Sequence, residues 1–176
     1  MKKMFGSQIF HLFIKVIGVC VIAFSVMVYI ANFMLGDQIE LKSVNKTLGS
    51  LGEYGTIAAI SLWFLHHIWL FLHKNKISKF KYMKELYMLA KKYHMFIGYA
   101  VLAVATTHGV YFFIKGSHHM IQIYSGIFTF CILVLLSSVG ILLNRSKNRN
   151  KSVLYRNLHQ MIAILFGLGL IIHLML

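Results

Sequence analysis

His94-Met-Phe-Ile-Gly-Tyr-Ala-Val-Leu-Ala-Val-Ala-Thr-Thr-His108 is an apolar stretch with a histidine at each end. The arrangement returns in His159-Gln-Met-Ile-Ala-Ile-Leu-Phe-Gly-Leu-Gly-Leu-Ile-Ile-His173. At 3.6 residues per turn, a spacing of fourteen returns within about 40° of one helix face and advances about 21 Å. Each stretch therefore predicts a helix carrying two imidazoles on one stripe. A bilayer hydrocarbon core is about 30 Å thick, so the two histidines of each helix belong in opposite leaflets.

Composition supports a membrane setting. Of 176 residues 59% are hydrophobic and only 12% charged, with four acids and no proline. A soluble domain of this size carries more charge, and the apolar residues fall into long runs rather than short alternations. The expected fold is all-α, a polytopic membrane bundle of five transmembrane helices forming one domain over 1–176. The helices are expected at about 10–35, 51–73, 93–114, 121–143 and 153–176. The formal charge of +14 does not point to nucleic acid, because the lysines and arginines gather at the N-terminus and in two loops. Cys20 and Cys131 lie inside apolar runs and predict packing residues rather than a disulfide framework. Met1-Lys2-Lys3 followed by an apolar run has the look of a signal peptide, but the run is long and lacks a small-x-small cleavage pattern, so a retained first helix is expected.

The connections differ in charge. Residues 36–50 mix Asp37 and Glu40 with Lys42 and Lys46 and predict a polar loop. Residues 74–92 are strongly basic with interleaved apolar residues and predict an interfacial segment. A short turn at 115–119 holds His118 and His119, and 144–151 reads as a solvated basic loop. The positive-inside rule places the N-terminus and both basic connections in the cytoplasm and the C-terminus outside, in what is read as a bacterial plasma membrane. Helices three and five then run the same way. His94 and His159 fall near the cytoplasmic side, and His108 and His173 toward the outer side.

Histidines at such depth are costly and tend to mark function. Bis-histidine haem ligation needs two imidazoles facing each other at one depth from different helices, and equal spacing on two parallel helices meets that requirement twice. The expectation is two b-type haems, with His94, His159, His108 and His173 as iron ligands. Gly98, Ala105, Gly109, Ala163, Gly167 and Gly169 are candidates for making room, although glycine also serves helix packing alone. Lys91, Lys92 and Arg156 near one pair, and Lys115, His118 and His119 near the other, can compensate haem propionates. His66 and His73 share a face of the second helix and suit packing or propionate contact more than ligation. His67 and His11 receive no assignment.

The paired His-x13-His pattern on the third and fifth helices resembles the ferric reductase-like transmembrane domain. That superfamily includes the membrane halves of NADPH oxidases and ferric-chelate reductases, and the haem subunit of the periplasmic methionine sulfoxide reductase system. The resemblance covers about 10–176 and implies that His94 pairs with His159 at an inner haem and His108 with His173 at an outer one, in a membrane electron-transfer component. Three residues follow His173, and no Gly-rich dinucleotide fingerprint is present. A separate flavoprotein reductase or a membrane quinol is the expected donor, and an extracytoplasmic redox protein or a ferric species the acceptor. Two rivals stand beside this relay: a terminal ferric reductase acting at the outer face, and a haem-free transporter using its histidines for metal ions or protons.

Overall fold

Among the described residues five helices follow one another along the chain: α1 (Gln8–Met34), α2 (Lys42–Lys74), α3 (Lys81–Lys115), α4 (Met120–Arg145) and α5 (Arg149–Met175). The computed structural model describes residues 8–34, 40–75, 81–115 and 120–176, and no strand occurs among them. All five helices are long and apolar enough to cross a membrane.

The polarity of the bundle is that of a multi-pass membrane protein. Ile9, Phe33, Met161, Ile164 and Met175 are largely exposed, whereas Ser25, Asn32, Asn45, Thr56, Thr107 and Thr129 are buried. In hydrocarbon a polar side chain needs an internal partner, so such groups turn inward and join helices. Ser25 of α1 hydrogen-bonds Thr107 of α3 at 2.8 Å, and His11 Nδ1 lies 2.7 Å from the Tyr93 hydroxyl. Both links have the same sequence offset, so α1 and α3 run parallel. Asn32 and Asn45 exchange amide hydrogen bonds of 3.1 and 2.9 Å between α1 and α2.

α3 is the central helix, packed against α1, α2 and α4, while α4 and α5 form a second close pair. Small residues bring α2 onto α3: a Cβ at Gly52 would lie 3.2 Å from Val104, and one at Gly55 would lie 2.6 Å from Val101. Among the described residues α3 and α5 are not one of the closely packed helix pairs, and their side chains meet midway in the cluster of Val101, Ile132, Leu133 and Phe166.

Three expected boundaries are corrected. α2 starts at Lys42 rather than 51, because its first turns are anchored in the interior: Asn45 is 0% exposed and Leu48 packs with Val28 and Val104. Residues 81–92 are not a separate interfacial segment but the first turns of α3, held on α2 by Tyr87, which stacks on Trp69 at 5.6 Å. The basic loop 144–151 is largely helical, since α5 begins at Arg149, where the Asn148 side chain accepts hydrogen bonds from the backbone N–H groups of Asn150 and Lys151. Such an N-cap satisfies donors that the first turn leaves free. His118 and His119 lie outside the described residues.

The asparagine pair gives a test of this interior. Asn32→Leu leaves Asn45 Oδ1 without its donor, and a loss of about 1–3 kcal/mol is expected, read as a lower unfolding midpoint in detergent. Asn32→Leu combined with Asn45→Leu removes both partners and should recover most of it.

Candidate functional site: two tiers of histidines

Each of the four singled-out histidines lies on the α3–α5 side of the bundle interior. His94 and Val101 are seven residues apart on α3, as are Val101 and His108, and Phe166 divides His159 from His173 on α5 in the same way. Seven residues make almost two turns, about 10 Å of rise. Val101 and Phe166 are both 5% exposed and share one cluster. The histidines consequently form two tiers, one on each side of this apolar layer.

At one tier the rings of His94 and His159 have centroids 6.1 Å apart and planes at 78°. Two imidazoles bound on opposite sides of one metal at about 2.0–2.1 Å each have centroids roughly 6 Å apart. At the other tier His173 lies within electrostatic reach of His108. Among the described residues no three histidine, cysteine or carboxylate side chains converge to hold a metal ion. A bare zinc site almost always takes three or four protein ligands. Pairs suit an iron whose remaining ligands come from a planar macrocycle.

The neighbouring helices fix how three of the imidazoles point. His108 Nδ1 donates to the Asn45 carbonyl at 2.8 Å, and His159 Nδ1 donates to the Leu136 carbonyl at 3.2 Å. His173 Nδ1 lies 3.0 Å from Ser125 Oγ, whose own proton is donated to the Gln122 carbonyl at 2.9 Å, so the hydroxyl accepts from the imidazole. A carbonyl only accepts. Nδ1 therefore carries the proton in each case, leaving the Nε2 lone pair for a ligand.

A glycine stands four residues after each of these carbonyls: Gly49 after Asn45, Gly140 after Leu136 and Gly126 after Gln122. The carbonyl of residue i already accepts from the N–H of residue i+4, so a side chain at i+4 would stand where the imidazole approaches. A Cβ at Gly49 would lie 2.7 Å from His108 Nδ1, one at Gly126 3.0 Å from His173 Cε1, and one at Gly140 3.3 Å from His159 Cε1. Gly126 and Gly140 are fourteen apart and serve His173 and His159 in reverse order, as the antiparallel α4 requires. On α2 the position fourteen after Gly49 is Trp63. There the pattern breaks: His94 sits near the Ala59 carbonyl, yet its Nδ1 is buried without a hydrogen-bond partner.

Sequence reasoning looked for room on α3 and α5 themselves. Gly98, Gly109 and Gly167 do face open space, with nothing within 4 Å of a Cβ, while Gly169 packs on Thr129. It missed the glycines on α2 and α4. The fourteen-residue repeat of Gly126 and Gly140, matching that of the histidines, was the signal available.

Compared with known proteins, the chain matches no family model, no curated protein and no solved structure.

The two classes of glycine should respond oppositely to alanine. Gly49→Ala forces the His108 ring to move and should cost about 1–3 kcal/mol. Gly98→Ala meets nothing and should gain up to about 1 kcal/mol of helix propensity. Unfolding midpoints in detergent measure both.

Proposed function

We propose that the chain is a transmembrane b-type cytochrome that passes electrons through two bis-histidine haems, one held by His94 and His159 and the other by His108 and His173. The observation that carries this reading is the set of held imidazoles, whose Nδ1 protons are engaged outward while the rings of one tier already stand at the separation a shared iron needs. A haem supplies one-electron redox chemistry. The protein's part is to present neutral Nε2 atoms at two fixed depths and to keep the intervening layer apolar. The His-x13-His pairs on the third and fifth helices are the feature the ferric reductase-like membrane domain also has, which supports the same reading.

Charge distribution supports an inner and an outer tier. Lys91, Lys92 and Arg156 lie within three residues of His94 or His159 in sequence, and the basic residues from 84 to 92 and 144 to 156 belong to the same end of the bundle. By the positive-inside rule that end faces the cytoplasm of a bacterial plasma membrane. Lys91, Lys92 and Arg156 are also placed to offset haem propionates. Electrons enter at His94 and His159 from a flavoprotein or a membrane quinol, cross to His108 and His173, and leave to an extracytoplasmic acceptor.

The deciding measurement is a dithionite-reduced minus oxidised spectrum of the purified chain, with pyridine-haemochrome quantification. Two b-type haems per chain are expected. His173→Ala should remove one and leave the inner one in place. A chain that carries no haem after supplementation during expression would overturn the reading in favour of a metal or proton transporter.

A further inference from the structure

Between α1 and α2, with α3 as its floor, runs an apolar groove of about 250 Å³. Ile14 and Gly18 line it from α1, Leu51 and Ala58 from α2, and Phe96 and Ala100 from α3. It exists because α1 meets α2 chiefly at one end, where Asn32 pairs with Asn45 and Val28 packs on Leu48. Toward the other end, among the described residues, the two helices are joined through α3, and the groove lies in the gap between them.

Eight residues beyond Ala58, about two turns along α2, stands an aromatic and polar cluster. Leu51 and Trp69 are eighteen residues apart, five whole turns, and Gly55 and His66 are eleven apart, within about 20° of one face. His66 and Trp69 thus continue the stripe that lines the groove. His66 Nδ1 is buried and has no hydrogen-bond partner among the described residues. Its ring is 5.2 Å from Tyr87, which stacks almost parallel on Trp69 at 7°. Tyr87 precedes His94 by seven residues, placing the cluster about 10 Å along α3 from the first histidine tier.

We propose that the groove and the His66 cluster are the binding site of a quinol that serves as the electron donor. This rests on the haem reading of His94 and His159 and specifies which donor that pair receives electrons from. The isoprenoid tail occupies the apolar groove. The ring lies against the Trp69–Tyr87 aromatic surface, and a hydroxyl donates to His66 Nδ1. A phospholipid acyl chain would fill the groove but leave that nitrogen unpaired, whereas a flat ring with a hydroxyl on a long apolar tail meets both requirements. In the reaction one quinol becomes one quinone, losing two electrons and two protons. The electrons would pass singly to two equivalents of the ferric haem that His94 and His159 would hold. One proton leaves along the hydrogen bond to His66, and the other passes to water at the membrane edge.

The test uses the full haem-supplemented chain in nanodiscs, with anaerobic decylubiquinol as probe and haem absorbance followed by stopped flow. Ala58→Phe, which fills the groove, and His66→Leu should each slow quinol-driven reduction at least about tenfold with the dithionite-reduced spectrum unchanged. His66→Gln, which keeps a hydrogen-bond acceptor but takes no proton, should keep the parent's half-saturating quinol concentration while its maximal rate of reduction falls. A parent that dithionite reduces and decylubiquinol does not, or variants reduced as fast as the parent, would overturn the proposal. Should no haem be present, the relay reading fails separately. Quenching of tryptophan fluorescence by oxidised decylubiquinone in the haem-free chain then decides the site: saturable quenching lost in Ala58→Phe supports it, and its absence overturns it.

Discussion

A helix carbonyl that already accepts one hydrogen bond within its own helix accepts a second from a histidine on the next. His108 does this to Asn45 and His159 to Leu136, and His173 reaches Gln122 through Ser125. In hydrocarbon no water competes for the imidazole proton, and the second lone pair of the carbonyl is the acceptor that every helix offers without an extra polar side chain. What that acceptor lacks is accessibility. Glycine at i+4 provides it, at a helix-propensity cost of up to about 1 kcal/mol. The pairing of α2 with α3 and of α4 with α5 follows from the same contacts. Each close pair consists of one helix that carries histidines and one that seats them.

The remaining polar residues hold this frame in register. α1 carries none of the four paired histidines, yet Ser25 and His11 tie it to α3 and Asn32 ties it to α2. The link through Asn45 is notable because one residue does two things: its side chain clasps α1 while its carbonyl orients His108. A shift of α2 along its axis would break both at once. His94 is the exception, with Trp63 where the pattern would place glycine and with Nδ1 unbonded. The two tiers are thus unlike in their surroundings, since one holds both imidazoles and the other holds only His159.

Much of the fold was legible because membrane helices are long and obligatory. The apolar runs and the absence of proline predict five spanning helices, and the fourteen-residue spacing predicts the stripe. The boundaries were less legible for a definite reason. Lys42, Asn45 and Thr47 read as loop residues by polarity, but Asn45 faces inward to Asn32 while Lys42 and Thr47 take the exposed side of the same turns, so polarity does not mark where a helix ends. Similarly, Lys84, Lys91 and Lys92 obscured the first turns of α3, whose contact with α2 runs through Tyr87. The histidines were visible as a spacing, and the structure sets His94 against His159. The seats were not sought, because a glycine on a neighbouring helix shows its meaning only when the antiparallel register is known.

The layer between the tiers bears on what can pass through the molecule. Val101, Ile132, Leu133 and Phe166 close the interior there, and Thr129 beside them spends its hydroxyl on the Ser125 carbonyl. A proton or metal ion crossing a bilayer needs a succession of polar groups or water, since an isolated charge in hydrocarbon is costly. Two histidine pairs divided by an apolar plug offer no such succession. Electrons require none: they move between centres separated by packed side chains, and a dry layer protects the transfer from side reactions. Imidazoles fixed in one tautomer are likewise poor proton shuttles, because shuttling needs Nδ1 to give up the bond that holds it. The hydrogen bonds that hold Nδ1 and leave Nε2 open thereby weigh against proton transfer between the pairs, in keeping with the relay proposed above.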